Sequence, residues 1–404
     1  MKLKLNLVTQ IFIGFVIAII LGVIFGESIS VIQPIGDLFL RLIKFIIAPL
    51  ILATLVVGVA SGGDAKQLGR MGIKTVGYYL VTTGIAIIIG LAIAFALQPG
   101  KGIDVSVTDN DMVKEAEESQ GSQDIVQTIL EIVPENPFHA LAEQNILQII
   151  FFAIFIGIAI TLVGEKAEPV YRFFDGFSEL MFKITGIIMK TAPIGIIGLL
   201  APVVGEFGLS VLMPLMKVIL AVLIACIIHA LITYSLSVRI FGKMSPLHFF
   251  KGISPAAAVA FSTASSAGTL PVTLRNTQDN LGVPNKISSF VLPLGATINM
   301  DGTAIYQGVS VIFISQFFDL DLSFVNLLTV VLVTVLASIG TAGVPGAGLI
   351  MLTMVLTSIG MPLEGIALIA GIDRVLDMMR TTVNIVGDAS ASVVVAGSEK
   401  ELNK

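Results

Sequence analysis

The sequence predicts an all-α polytopic membrane protein with eight transmembrane helices plus two re-entrant helical hairpins, arranged as inverted repeats. Three observations predict it. The 404 residues are 55% hydrophobic and only 13% charged, with a mean hydropathy of +0.97, whereas a soluble domain carries about 25% charged residues. Apolar runs of roughly 20 residues, each long enough to cross a hydrocarbon core as a helix, recur along the whole length. Two further apolar segments are broken at their middles by clusters containing Gly and Pro, which a lipid-facing helix does not tolerate. Residues 1–404 are therefore treated as a single membrane domain rather than a string of soluble ones.

The first span covers 7–26. Lys2 and Lys4 precede it as they would a signal peptide, but the run is too long and lacks a small-x-small cleavage site. Further spans fall at 33–60, 74–97, 143–164, near 176–206, and at 209–238, 288–317 and 365–396. The one long polar loop, about 99–135, sets nine acids (Asp104, Asp109, Asp111, Glu115, Glu117, Glu118, Asp124, Glu131, Glu135) against Lys101 and Lys114. Its composition cannot build a core, so a mobile external loop is expected there.

The two interrupted segments lie at about 248–282 and 327–361. The first breaks at Ser262-Thr-Ala-Ser-Ser-Ala-Gly-Thr-Leu-Pro271, the second at Ser338-Ile-Gly-Thr-Ala-Gly-Val-Pro-Gly-Ala-Gly348, and a kernel of Ala-Gly followed closely by Pro is common to both. Paired breaks at corresponding places in two halves are the sequence mark of a midplane binding site in an inverted-repeat transporter.

Basic residues set the orientation. With eight crossings, Lys2/Lys4, Lys66/Arg70/Lys74, Lys166/Arg172, Arg239/Lys243/Lys251 and Arg275/Lys286 fall on one side, which the positive-inside rule makes cytoplasmic. A multi-pass protein of the plasma (inner) membrane with both termini cytoplasmic is expected. The net charge of -5 is dispersed, without the basic block that nucleic acid requires. A single cysteine, Cys226, rules out an intrachain disulfide. His139, His229 and His248 are scattered without a Ser or Cys partner and read as structural, so no enzyme is expected.

The last span carries the strongest functional signal. At about 100° per residue, Asp373, Asp377, Arg380, Thr381, Asn384 and Asp388 fall within about 100° of arc. Asp377, Arg380 and Asp388 together would cost on the order of 8–10 kcal/mol facing lipid at the bilayer centre, so they must face a cavity or one another. In the preceding span Asn299, Asp301 and Thr303 surround Gly302, suggesting an unwound turn whose oxygens suit a hard cation. With no His/Cys cluster for a transition metal, sodium is the natural ion. Tyr78-Tyr-Leu-Val-Thr-Thr83 in the third span adds hydroxyls, a weak motif when taken alone.

Four motifs, Ser265-Ser-Ala-Gly-Thr-Leu-Pro-Val-Thr273, Leu294-Gly-Ala-Thr-Ile-Asn-Met-Asp-Gly-Thr303, Ser338-Ile-Gly-Thr-Ala-Gly-Val-Pro-Gly346 and Asp377-Met-Met-Arg-Thr-Thr-Val-Asn-Ile-Val-Gly-Asp388, carry a resemblance over nearly the whole chain. The sequence resembles the dicarboxylate/amino acid:cation symporter family, which includes the excitatory amino-acid transporters. The resemblance implies a homotrimer in the lipid bilayer working as an elevator. Each protomer would have a scaffold part (about 1–60 and 135–206) and a transport part (about 74–97 and 209–396). It implies Asp377 for the substrate amino group, Arg380 for the side-chain carboxylate with Thr303 and Gly348, and Asn384 with Ser266 for the main carboxylate. Thr381 belongs to the same set, and Val344 would line an extracellular gate. Three sodium sites are implied, with no other cofactor: Gly295, Asn299, Asn384 and Asp388; Thr297, Met300, Ser338, Ile339 and Thr341; and Tyr79, Thr82, Thr83, Asn299 and Asp301.

Three positions depart from the family pattern. Ala264 and Met378 stand where relatives commonly carry one arginine or the other, and Ala267 where a third serine is usual. That removes the ground for expecting potassium counter-transport. A guanidinium suits a carboxylate and Asp377 suits an ammonium, so the expected activity is sodium-coupled symport of aspartate or glutamate. Proton-coupled transport of glutamate or of a C4-dicarboxylate is the nearest alternative, and an ion channel the alternative from another class.

Overall fold

In the computed structural model, residues 7–60, 66–101, 130, 132–339 and 346–402 are described, and no strand occurs among them. The helices are α1 (Leu7–Phe25), α2 (Gln33–Ala60), α3 (Lys66–Leu97), α4 (Pro137–Ala142), α5 (Ile146–Val163), α6 (Glu168–Met189), α7 (Ala192–Phe207) and α8 (Leu212–His229). A π-helical turn, Ala230–Tyr234, leads from α8 into α9 (Ser235–Ile240). There follow α10 (Pro246–Thr263), α11 (Ser266–Asp279), α12 (Asn285–Ile298), α13 (Asp301–Phe317), α14 (Phe324–Ser338), α15 (Ala347–Ser358) and α16 (Gly365–Glu399).

Polarity is distributed inside out relative to a water-soluble fold. Large apolar side chains such as Leu162 (82% exposed) and Ile73 (77%) cover the outside, while Asp301, Asp388 and Arg380 are buried. Four stretches, Ile13–Ala60, Arg70–Leu97, Gln148–Ile188 and Leu212–Ile240, are long and apolar enough to cross a membrane. Helices are the expected answer, since a chain in lipid must satisfy its backbone polar groups within each segment.

Packing sorts the helices into two groups. In one, α1 lies on α7, and α2 on α5, α6 and α7. In the other, α13 lies on α3 and α16, while α8, α10, α11 and α12 all reach α16.

The structure moves several expected boundaries. The long span near 176–206 is two helices, α6 and α7, parted at Lys190–Thr191, because Pro193 fits the first turn of a new helix better than the interior of an old one. The span 288–317 is divided at Asn299–Met300, so Gly302 sits inside the first turn of α13 rather than at the centre of the break. In the first interrupted segment the break is confined to Ala264–Ser265, with Pro271 taken up inside α11. The break of the second interrupted segment falls at 340–345, between α14 and α15, and lies outside the described residues. So does most of the acidic loop.

Candidate functional site

The polar face of α16 is buried where α10–α13 and α15 close around it. Arg380 is 2% exposed and is held by both carboxylates on its own helix. Its Nη1 donates to Asp373 Oδ1 at 2.8 Å, its Nη2 to Asp373 Oδ2 at 3.5 Å, and its Nε to Asp377 Oδ1 at 2.9 Å. The Tyr306 ring lies beneath the guanidinium, with Cζ 4.6 Å from its centroid, an arrangement that steadies a cation electrostatically. Charges this deep are tolerable only when paired and hydrogen-bonded. Spacings of three and seven residues put both acids on the arginine's side of the helix.

Asp377 also reaches beyond α16. Its Oδ1 accepts from Thr381 Oγ1 at 3.3 Å, and its Oδ2 from the Gly346 backbone N–H at 3.3 Å. Gly346 precedes α15 in the left-handed region (φ 86°), so the start of α15 is tied to the carboxylate. Two residues on, Gly348 lies so close to Arg380 that a Cβ there would run into the guanidinium. The missing side chain lets the backbone at the start of α15 pack directly against the guanidinium. Ser266 is buried at the first position of α11, after Ser265, whose hydroxyl caps that helix by accepting from Gly268 N at 3.0 Å.

The break between α12 and α13 supplies the oxygens. Asn299 sends its Nδ2 to the Asn384 carbonyl and to Asp388 Oδ1, both at 2.8 Å, and the Gly302 N–H donates to Asn384 Oδ1 at 2.8 Å. Gly295 is equally close-packed, since a Cβ there would collide with Asp388 and the Tyr79 hydroxyl. Asp301, fully buried, accepts from Thr83 Oγ1 (2.6 Å) on its Oδ1, and from Tyr234 Oη (2.8 Å) and His229 Nε2 (3.2 Å) on its Oδ2. Asn299 Oδ1 is buried without a partner. A buried orphan acceptor on a side chain bonded to the Asp388 carboxylate is a hard oxygen ligand in need of a partner, so the residues present fit sodium.

The structure thus brings together Asp377, Arg380, Thr381 and Gly348 around one point. Gly295, Asn299, Asn384 and Asp388 meet at a second, and Thr83 with Asp301 at a third. Thr303 is adjacent on the first turn of α13 with its hydroxyl on the Met300 sulfur (3.8 Å). Tyr79 directs its hydroxyl to the Val291 carbonyl (3.1 Å), and Thr82 bonds back to the Tyr79 carbonyl (3.2 Å). Among the described residues no hydrogen bond joins Ser266 to Asn384, which points its Nδ2 at the Met300 sulfur instead (3.4 Å). The set of Thr297, Met300, Ser338, Ile339 and Thr341 falls only in part within the described residues. Thr297 bonds its own helix at Leu294 O (2.9 Å), Ser338 bonds Val335 O (2.7 Å), and Thr341 lies outside the described residues, as does Val344.

Four participants escaped the sequence, among them Tyr234, which donates to Asp301. Tyr306 and Asp373 were visible as polar residues but without their role in holding Arg380. His229, expected to be structural, sits on Asp301. Its one available signal was being an ionisable group inside an apolar run, which in a membrane is a functional sign by default.

The sodium:dicarboxylate symporter family model matches residues 7–398. A protein named proton/sodium-glutamate symport protein, from Geobacillus stearothermophilus, is 40% identical over 99% of this chain and 96% of its own. The proton/glutamate-aspartate symporter of Escherichia coli (strain K12) is 39% identical over 100% and 95%. A C4-dicarboxylate transport protein of Bacillus subtilis (strain 168) is 35% identical over 100% and 96%.

Proposed function

The chain belongs to the sodium:dicarboxylate symporter family, and from that premise we propose that it carries aspartate or glutamate across the plasma (inner) membrane together with sodium. It is a transporter, not an enzyme. The observation that carries the substrate class is the buried pair of Asp377 and Arg380 in hydrogen-bond contact on one face of α16.

An acidic amino acid has two carboxylates and an ammonium, and the site has a complement for each. Arg380 takes the side-chain carboxylate with Thr303 and Gly348 beside it. Asp377 with Thr381 takes the ammonium. Asn384 and Ser266 take the main carboxylate. On entry, the substrate carboxylate replaces Asp373 or Asp377 as a partner of the guanidinium, exchanging one charge-assisted bond for another. Asn384 serves substrate and ion sets alike, because its carbonyl and amide meet Asn299 and Gly302. Occupying the Asp388 set therefore fixes Asn384 for the substrate.

The proposed transporter has eight crossings with two hairpins, cytoplasmic termini, three sodium ions and a homotrimeric assembly. It works by elevator movement of 74–97 with 209–396 against 1–60 with 135–206. The two packing groups of helices support that division.

A second reading, proton-coupled or C4-dicarboxylate symport, is favoured by the names of the relatives. Against the dicarboxylate stands Asp377, which attracts an ammonium and repels a second carboxylate. Proteoliposomes decide between them. Labelled aspartate uptake driven by an imposed sodium gradient, and resistant to equimolar succinate, is expected. Uptake that follows a pH gradient alone would remove sodium from the reading, and displacement by succinate would remove the amino acid.

A further inference from the structure

The Asp301 carboxylate is approached from α8 by a feature that the substrate and ion roles above leave unused. His229 ends α8 and Tyr234 ends the π-helical turn that follows. Five residues apart on an α-helix, two side chains diverge by about 140°. The wider turn removes most of that divergence, and both reach the same oxygen, Asp301 Oδ2. Their rings meet edge to face at 4.8 Å. A π-turn costs regular helix geometry and is retained mostly where it aims side chains.

The hydrogen bonds have one consistent direction. An ionised carboxylate only accepts, so His229 Nε2 donates to Oδ2, and His229 Nδ1 accepts from the Thr233 hydroxyl at 3.2 Å. Tyr234 Oη donates as well. About two lone pairs per carboxylate oxygen are available, so Oδ2 is filled by its two donors. Oδ1 has one donor, Thr83, and keeps an open direction. Asn299 lies across Gly387 from Tyr234. A Cβ on Gly387 would lie 2.5 Å from Asn299 Nδ2 and 2.6 Å from Tyr234 Oη, so the two groups flank that glycine. The unpartnered Asn299 Oδ1 is the second open oxygen.

We propose that His229 and Tyr234 are positioning residues of the cation site at Asp301. By occupying Oδ2 they leave Oδ1, beside Thr83, as the Asp301 oxygen offered to the ion. One fixed carboxylate oxygen with neutral oxygens around it matches a hard monovalent cation. A carboxylate free to present both oxygens would suit a divalent one. The inference rests on the sodium-coupled reading and adds to it the residues that set the geometry of one ion site.

The test uses the full chain purified in detergent, with aspartate binding followed by calorimetry at graded sodium concentrations. Outer-shell partners typically contribute 10- to 100-fold to ion affinity. The sodium concentration for half-maximal aspartate binding should rise about that much in His229→Ala and several-fold in Tyr234→Phe. Aspartate affinity at saturating sodium should return to the wild-type value. His229→Gln, whose amide nitrogen can stand where Nε2 stood, should restore the wild-type sodium requirement, whereas His229→Asn, one carbon shorter, should not. A structural role alone would reduce folded protein without moving the sodium requirement. If His229→Ala does not fold, the Gln and Asn variants decide. Equal sodium requirements in those two overturn the proposal, as does a loss of aspartate binding that is uniform at every sodium concentration. A wild-type protein indifferent to sodium would overturn the sodium-coupled reading and this inference with it; a sodium-dependent wild type with unaltered variants overturns this inference alone.

Discussion

Arg380 must be charged, buried and able to change partners, and its neighbours set those terms. Asp373 and Asp377 hold it while Tyr306 supports it from below. Removing one member of a buried charge pair costs about 2–5 kcal/mol, or at least roughly 30-fold in affinity. Arg380→Cys should therefore lose aspartate by that factor or more, while a neutral amino acid, still held by Asp377 and Asn384, keeps measurable affinity. Competition binding with aspartate and a small neutral amino acid checks this, and retained aspartate affinity counts against Arg380 as the carboxylate ligand. Gly348→Ala probes the same contact from α15. Its Cβ would meet the guanidinium, and such overpacking costs about 1–3 kcal/mol, so the thermal midpoint should fall and aspartate binding should weaken as the guanidinium is displaced. At this scale the sequence was most legible for α16, because six polar residues inside one arc of an apolar helix admit few readings. It was least legible for His229, whose partner Asp301 is 72 residues away and whose approach depends on a π-turn that no local pattern announces.

Among elements, the interruptions between α10 and α11 and between α12 and α13 were predictable because Gly, Pro and small polar residues cannot be placed against lipid. Their exact breaks were not, because tertiary contacts choose which peptide opens. Ala264 shows the choice, since it caps α10 in the left-handed region at φ 50°, ψ 42°, a conformation that costs a residue with a Cβ roughly 1–2 kcal/mol. Ala264→Gly should raise the thermal midpoint by on the order of 1–2 °C, and Ala264→Val should lower it, as read by unfolding in detergent. The end of α16 offers a pH prediction. Glu399, beyond the apolar stretch, accepts from Lys74 Nζ at 2.6 Å and pairs with Arg70, and the Lys74 hydrogen bond chiefly holds its carboxyl below the ordinary glutamate range. A depressed folded-state value means the stabilisation is complete above the unfolded value of about 4.3 and is lost as pH falls through the lowered one. Glu399→Gln should thus melt slightly below wild type at pH 7, by an amount appropriate to a pair worth under about 1 kcal/mol. The gap should close below about pH 4.

Across the whole molecule, the charge balance ties solute to ion. Asp301, Asp373, Asp377 and Asp388 are each at most 5% exposed, and among the described residues Arg380 is the one comparably buried Lys or Arg. With four carboxylates against one guanidinium, the ionised site is short of three positive charges before a net-negative substrate enters. Uncompensated charge in so low a dielectric costs several kcal/mol per ion, so substrate binding without bound cations should be strongly disfavoured. The prediction is quantitative. The apparent aspartate affinity should rise with sodium concentration with a log–log slope of about two to three, and by reciprocity aspartate should tighten sodium by the same coupling factor. Calorimetry at constant ionic strength, with choline replacing sodium, measures it. If affinity is flat in sodium but climbs as pH falls, protons neutralise the carboxylates and the oxygen sets around Asp301 and Asp388 serve them instead. If both slopes are flat, the acids are balanced within the protein and the coupling drawn through Asn384 does not operate.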